Sequence, residues 1–235
     1  MKLKRILLSL FFPERCSICG NIKPFLKSYC TKCGIDTQPI SNSACVNCGH
    51  EKCMCNDSSF IKLPHFTSVY YYRGELKYSI LKFKFHSDSS YADIFGLAMA
   101  KRMKEIYADT VNYDGVCFVP MDKESERLRG YNQSKLLALK VADELKLPLV
   151  SCLKKEEKSA HTQKSLSAKE RVDNIKGNFS VSGDINGKVL ILCDDIKTTG
   201  STLKECCDTL MKGGAKDVYC LTLALTPYRR YTDIF

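Results

Sequence analysis

"VLILCDDIKTTGSTL", residues 189–203, decides how the rest of the chain is read. Val189–Cys193 is an unbroken apolar run, the pattern of a strand covered on both faces in a parallel sheet. It breaks off at two adjacent carboxylates, Asp194 and Asp195, where open α/β sheets bind ligands, at the carboxyl ends of their strands. Lys197, Thr198, Thr199, Gly200, Ser201 and Thr202 follow. Their hydroxyls and backbone N–H groups can converge on an anion, and a helix predicted to start near Ser201 adds its positive dipole end. Carboxylates suit sugar hydroxyls, so the segment reads as a grip for a ribose 5-phosphate. The alternative is an ordinary acidic strand end followed by a Ser/Thr helix cap. A receiver domain also uses an acidic pair, but the forty residues after Asp195 are too few for one. A P-loop is excluded because GxxxxGK[ST] is absent.

Working outward, residues 66–72 ("FTSVYYY") predict a strand that turns at Arg73-Gly74. A helix follows over Glu75–Phe85. A second runs from about Tyr91 to Tyr107, with Ile94, Leu97, Ala98 and Met103 towards one face. "GVCFVP" (115–120) is a short buried strand, 132–146 a helix, and "LPLVSCL" (147–153) a returning strand. Residues 154–176 are polar without apolar period and predict a mobile loop that could close over a reacting sugar. Strands are expected at Phe179–Val181, Lys188–Cys193 and Val218–Ala224, with a helix from Ser201 to Lys212 stopped by Gly213-Gly214. This alternation predicts a mostly parallel α/β sheet. "DKESERLRG" (122–130) is expected to form a loop carrying Arg127 and Arg129, whose guanidinium forks suit pyrophosphate oxygens. Lys82 is a further candidate anion contact, with Lys84 able to serve as well.

Fourteen cysteines in 235 residues would suggest a disulfide scaffold in a small secreted chain. Eight of them, however, lie between Cys16 and Cys55, mostly in CxxC pairs. Cys16/Cys19, Cys30/Cys33, Cys45/Cys48 and Cys53/Cys55 predict two tetrahedral all-cysteine Zn2+ sites, with no position left open for catalysis. Either consecutive pairs share a metal or the pairs interleave. Gly20, Gly34 and Gly49 are expected to let backbone N–H groups turn towards the thiolates. Chelation is expected to unfold these first 55 or so residues and leave the larger domain folded. Cys117, Cys152, Cys193, Cys206, Cys207 and Cys220 read as small core residues. His50, His65, His86 and His161 show no metal spacing.

With 44% apolar residues the chain can bury a sizeable core. Its formal charge of +10 favours polyanionic partners, though thiolates on two Zn2+ would bring the total to roughly +6. "MKLKRILLSLFFP" is short for a secretory leader, lacks a small-residue cleavage site and is too short to span a bilayer. It is expected to be an amphipathic segment packed on the zinc module of a cytoplasmic protein.

Four apolar residues, two acidic, two variable and then T-T-G-x-T resemble the motif by which type I phosphoribosyltransferases bind phosphoribosyl pyrophosphate (PRPP). Over nearly its whole length the chain also resembles the ComF/ComFC family of competence-associated proteins. "RLRGYNQ" (127–133) matches R-x-R-G-[FY]-N-Q, and Gln163, Leu166, Arg171, Asn174, Gly177 and Phe179 follow a second family segment. Three departures stand out. Thr162 is directly beside Gln163, Pro120 is followed by Met121-Asp122 where P-x-P is usual, and Lys197 stands where relatives often carry an apolar residue.

The resemblance implies an α/β type I phosphoribosyltransferase fold over 58–235, preceded by a double zinc-ribbon-like module over 1–57. It implies PRPP with Mg2+ as ligand, and phosphoribosyl transfer to an acceptor with release of pyrophosphate. Asp194 and Asp195 would be catalytic through the ribose hydroxyls. Lys197 to Thr202 would hold the 5-phosphate, and Arg127, Arg129 and Lys82 the pyrophosphate. It further implies a part in DNA uptake during natural transformation, with single-stranded DNA and competence proteins as partners. A non-catalytic, PRPP-responsive or DNA-binding adaptor is the alternative. Tyr70–Tyr72 could stack on bases if exposed, or pack if their strand is half-buried.

Overall fold

The computed structural model describes residues 13, 15–16, 18–24, 30–58, 61–85, 90–107, 110–156 and 177–228. The N-terminal apolar segment, His86, His161 and most of the expected lid, including Gln163, Arg171 and Asn174, lie outside these residues. The described elements are α1 (Thr31–Asp36), β1 (Phe66–Tyr71), α2 (Gly74–Phe85), α3 (Ser90–Tyr107), β2 (Gly115–Phe118), α4 (Lys123–Arg129), α5 (Gln133–Leu145), β3 (Leu153–Lys155), β4 (Phe179–Val181), β5 (Val189–Lys197), α6 (Ser201–Lys212) and β6 (Asp217–Leu225).

Four strands form one parallel sheet in the order β1-β6-β5-β2. The most apolar strands, β5 and β6, take the two central places, where both faces are covered. On one face, Leu76, Ile80 and Phe83 of α2, Phe95 and Met99 of α3, and Leu137 and Val141 of α5 pack on Ile191 and Cys193. On the other, Leu203, Cys206 and Leu210 of α6 pack with Leu190, Leu192 and Phe66. The six scattered cysteines are all buried, in keeping with small core residues.

Two expectations change, and one alternative is resolved. α3 buries Tyr91, Phe95, Met99 and Met103, whereas Leu97 is half exposed, because α5 crosses close enough at Gly96 to turn that stripe inwards. A Cβ at Gly96 would stand 2.5 Å from Lys140 Cβ. The strand expected over 147–153 shrinks to a parallel bridge between Leu149 and Val116, and β3 pairs antiparallel with β4 instead. Pro148 has no N–H to give a ladder, though its carbonyl accepts from Val116. Tyr70 is buried, and Tyr71 stacks on His50 with ring centroids 6.0 Å apart, so this strand packs its rings.

The cysteine-rich module is built into the larger domain. Cys16, Ile18 and Cys33 belong to the core beneath α2. Ser79 donates to the Ile18 carbonyl, and Lys32 pairs with Glu75. Further on, Arg102 of α3 is buried and clamps the chain between the two cysteine clusters. Its Nη1 donates to Ile40 O at 2.7 Å, its Nη2 to Ser41 O at 3.0 Å and its Nε to Thr67 Oγ1 at 2.9 Å. A buried guanidinium is tolerated only when its donors are met in this way. Cys16, Ile18 and Cys33 share the core beneath α2, which weighs against the expectation that the first 55 or so residues unfold alone on chelation. No helix among the described residues is long and apolar enough to cross a membrane.

Candidate functional site

The cysteines gather as consecutive pairs. Cys16, Cys19, Cys30 and Cys33 bring four sulfurs within 4.8 Å of one another, and Cys45, Cys48, Cys53 and Cys55 do the same. This resolves the choice left open by spacing. Backbone N–H groups point at the sulfurs: Ile18 to Cys16 at 3.4 Å, Cys33 to Cys30 at 3.5 Å and Met54 to Cys48 at 3.4 Å. Although burial opposes it, such N–H donors bring Cys16 and Cys45 down to about 7. Two groups of four closely gathered sulfurs are a donor set that fits Zn2+ bound through thiolates. Gly20 and Gly49 take the positive φ expected of them, at 75° and 84°. Their own N–H groups, and that of Gly34 inside α1, go to the carbonyls of Cys16, Cys45 and Cys30 and not to sulfur.

At the other centre, β5 continues past Cys193 to Lys197, because β6 runs beside it and pairs Asp194 with Thr222 and Lys197 with Leu225. The acidic pair thus sits on rigid strand. Asp194 accepts from Ser134 Oγ at 2.7 Å and from the Asp195 N–H at 2.9 Å. Burial first, and the charge of Asp195 second, push Asp194 from 3.8 up to about 7, with the Ser134 bond opposing. Asp195 Oδ2 lies 2.6 Å from Lys84 Nζ.

Both aspartates open into a pocket of about 180 Å³ whose wall also carries Lys84, Arg129, Lys155, Asp122 and Pro120. Three cations and three carboxylates share this space. Asp122 caps α4 by accepting from the Ser125 N–H at 2.8 Å, and pairs with Lys155 at 3.1 Å. Against a burial effect that would raise it, these donors hold Asp122 down to about 2.

Arg127 and Arg129 lie on a helix, not in a loop. Asp122 supplies its N-cap, and Gly130, at φ 81°, its left-handed C-cap. Both signals were present in the sequence. Arg129 reaches the pocket, stacking over the Phe85 ring at 5.3 Å and donating to Gln133 Oε1 at 3.4 Å, whereas Arg127 is exposed outside it. Lys82 is also exposed and does not line the pocket. Lys84, two positions along α2 and therefore on another side of the helix, does.

Sequence reasoning missed how "GYNQS" (130–134) braces the pocket. Tyr131 donates to Phe83 O, Asn132 Nδ2 to Val119 O at 3.1 Å, and Gln133 Nε2 to Lys84 O at 3.4 Å. Asn132 also caps α5, accepting from the Lys135 N–H at 3.2 Å. A cap residue ahead of a helical run was the signal available.

Thr198 and Thr199 are exposed and, like the rest of 197–202, do not line the pocket; Gly200, at φ 93°, is the N-cap of α6 and makes no side-chain cap bond. The Ser201 N–H at the start of this twelve-residue helix donates to Thr199 Oγ1 at 3.4 Å, and the Thr199 and Ser201 hydroxyls lie 2.9 Å apart. Lys197 does not join them. It is 1% exposed and turns beneath the loop towards the second cysteine cluster.

Residues 95–234 match the family model described as phosphoribosyl transferase domain, and residues 7–60 match the double zinc ribbon domain. The class is thus a phosphoribosyltransferase-type domain fused to a zinc ribbon pair. The chain is 30% identical over 218 residues to competence protein F of Haemophilus influenzae, covering 88% of this chain and 90% of that one. It is 29% identical to competence protein ComFC of Bacillus subtilis, over 87% and 80% of the two chains. DNA utilization protein YhgH of Escherichia coli K12 is 28% identical, over 89% and 90%. The chain belongs to the ComF/ComFC family.

Proposed function

We propose that the chain binds PRPP with Mg2+ and transfers its phosphoribosyl group to an acceptor, releasing pyrophosphate, in the handling of DNA during natural transformation. The observation that carries the reading is the acidic pair fixed on β5 in a pocket wall that also carries Lys84, Arg129 and Lys155, with the hydroxyl-rich start of α6 next along the chain. Asp194 and Asp195 accept from the ribose hydroxyls, and Thr198 to Thr202 hold the 5-phosphate through hydroxyls and N–H groups. Two carboxylates beside a pyrophosphate suit a hard divalent cation. The Mg2+ that accompanies PRPP supplies charge neutralisation of the leaving group.

Lys84 is paired with Asp195. When ribose hydroxyls take over that carboxylate, the ammonium turns to the pyrophosphate, joined by Arg129 and Lys155. The bond from C1 to the pyrophosphate oxygen breaks with its electron pair leaving on oxygen, through an oxocarbenium-like transition state. The acceptor's lone pair then bonds to C1 and its proton passes to water. The module boundary falls near 57/58, and the reducing conditions that thiolate sites need support a cytoplasmic location.

The DNA role is supported by the names of the relatives, competence protein F and DNA utilization protein YhgH, and by the net charge. Phosphorus NMR of PRPP, Mg2+ and protein with a mixture of nucleobases tests turnover. Pyrophosphate appearing only with acceptor and protein together is the expected result. Bound but unconverted PRPP would leave the non-catalytic, PRPP-responsive adaptor.

A further inference from the structure

We infer that the second zinc site is part of the phosphate-loop machinery, tied to it through Lys197, so that zinc held by Cys45, Cys48, Cys53 and Cys55 and a phosphorylated sugar on the loop stabilise each other. This rests on the reading of Thr198–Thr202 as the phosphate loop.

Lys197 is the last residue of β5 and directly precedes that loop, yet it is 1% exposed. Its ammonium has no carboxylate within ion-pair distance among the described residues. It meets the Cys48 carbonyl at 3.4 Å and the face of Phe66 at 5.0 Å from the ring centroid. A carbonyl and a ring face are modest compensation for burying an ammonium, which costs several kcal/mol unless opposite charge is near. Four thiolates around one Zn2+ carry a net charge of about −2, and Cys48 is one of the four. The loaded zinc site is thus the counter-ion of Lys197, and Lys197 is the positioning residue under the loop.

The packing leaves little slack between the two. A Cβ at Gly200 would stand 2.8 Å from Lys197 Cε and 3.6 Å from Ile61 Cβ, so the loop rests on the lysine stem. Ile61, in the chain leaving the zinc site, donates its N–H to Thr199 O at 3.4 Å. On the zinc side, a Cβ at Gly49 would fall 2.3 Å from the Phe66 ring, and Phe66 donates its N–H to Val46 O at 2.6 Å. A displacement of the knuckle is therefore passed to the loop through Lys197 and Ile61. The first cluster packs instead under α2.

Binding linkage is reciprocal, so the effect can be read from either side. The test uses the full two-zinc protein, a chromogenic chelator and ribose 5-phosphate as probe, with pulsed alkylation and mass spectrometry to assign each released zinc to its cysteines. Saturating ribose 5-phosphate should slow zinc loss and alkylation at Cys53 and Cys55 by about tenfold while leaving Cys19 and Cys30 unchanged. Lys197→Met keeps the apolar stem. It should weaken ribose 5-phosphate binding by a similar factor and abolish the protection.

Ligand that binds the parent without slowing zinc loss from the second site overturns the linkage. So does Lys197→Met with parental affinity and protection. No binding of ribose 5-phosphate to the two-zinc parent overturns the phosphate-loop reading itself, and the linkage with it. Only that outcome strikes both.

Discussion

Asp194→Asn removes one charge from a site that tolerates two carboxylates poorly when empty. Asp194 is raised from 3.8 to about 7 by burial and by Asp195. A carboxyl whose folded pKa lies above its unfolded value stabilises the fold fully below the unfolded pKa, and that contribution is lost as pH rises through the folded one. The empty protein should therefore lose stability between about pH 4 and pH 7 on account of this group. At 1.36 kcal/mol per pK unit the shift corresponds to ~4 kcal/mol, and partial exposure of the carboxylate to screening water reduces this to an effective ~1–2 kcal/mol. Asparagine keeps an oxygen for the Ser134 hydroxyl. The variant should thus melt about 2–8 °C above the parent at pH 8, with the gain shrinking as pH is lowered towards 5. Calorimetric scans of parent and variant at matched zinc content measure it. PRPP affinity should fall about ten- to a hundredfold, the cost of losing a hydrogen bond to a charged acceptor. A variant no more stable than the parent at pH 8, or a gain that does not vary with pH, would refute the reasoning about the empty site.

Metal analysis should find about two zinc ions per chain, and less than about one would sink the double site. Chelation should lower the unfolding temperature of the whole chain, because Cys16, Ile18 and Cys33 belong to the main core; circular dichroism melts with and without chelator decide this. Arg129→Ala should weaken pyrophosphate binding about tenfold while Arg127→Ala changes it little, since only Arg129 reaches the pocket; a competition titration comparing the two is the check. Fluorescence anisotropy with a labelled single strand should show affinity falling steeply from low to physiological salt, and no binding at low salt would leave recruitment by partners as the only DNA role.

The parts of the fold legible in the sequence were those written in local chemistry. The Ser201–Lys212 helix carried its own glycine stop and its expected bounds match, whereas the apolar run Val189–Cys193 signalled the strand but not its continuation to Lys197, which depends on pairing with β6. The cysteine spacing announced two metal sites but not which pairs share a metal, because that depends on how the chain folds back. The α4 helix was missed although Asp122 and Gly130 marked its ends, its charge-rich middle having been read as a solvated loop. Other features depend on contacts distant in sequence. Arg102 anchoring Ile40 and Ser41, Lys84 meeting Asp195, and Lys197 turning beneath its own loop to Cys48 leave no local signature. Lys197 was grouped with the phosphate contacts by its place in the motif. The alternation of the strand and the room under Gly200 send it the other way.

The most direct test of the central claim is a calorimetric titration of PRPP with Mg2+ into the two-zinc protein, repeated with Asp195→Asn and Thr199→Val. Saturable binding at one site per chain, displaced by pyrophosphate and weakened about ten- to a hundredfold by each substitution, is the expected result. Absence of binding to the parent, or binding that both variants retain unchanged, would contradict the assignment of Asp195 and the 198–202 loop to a phosphoribosyl site.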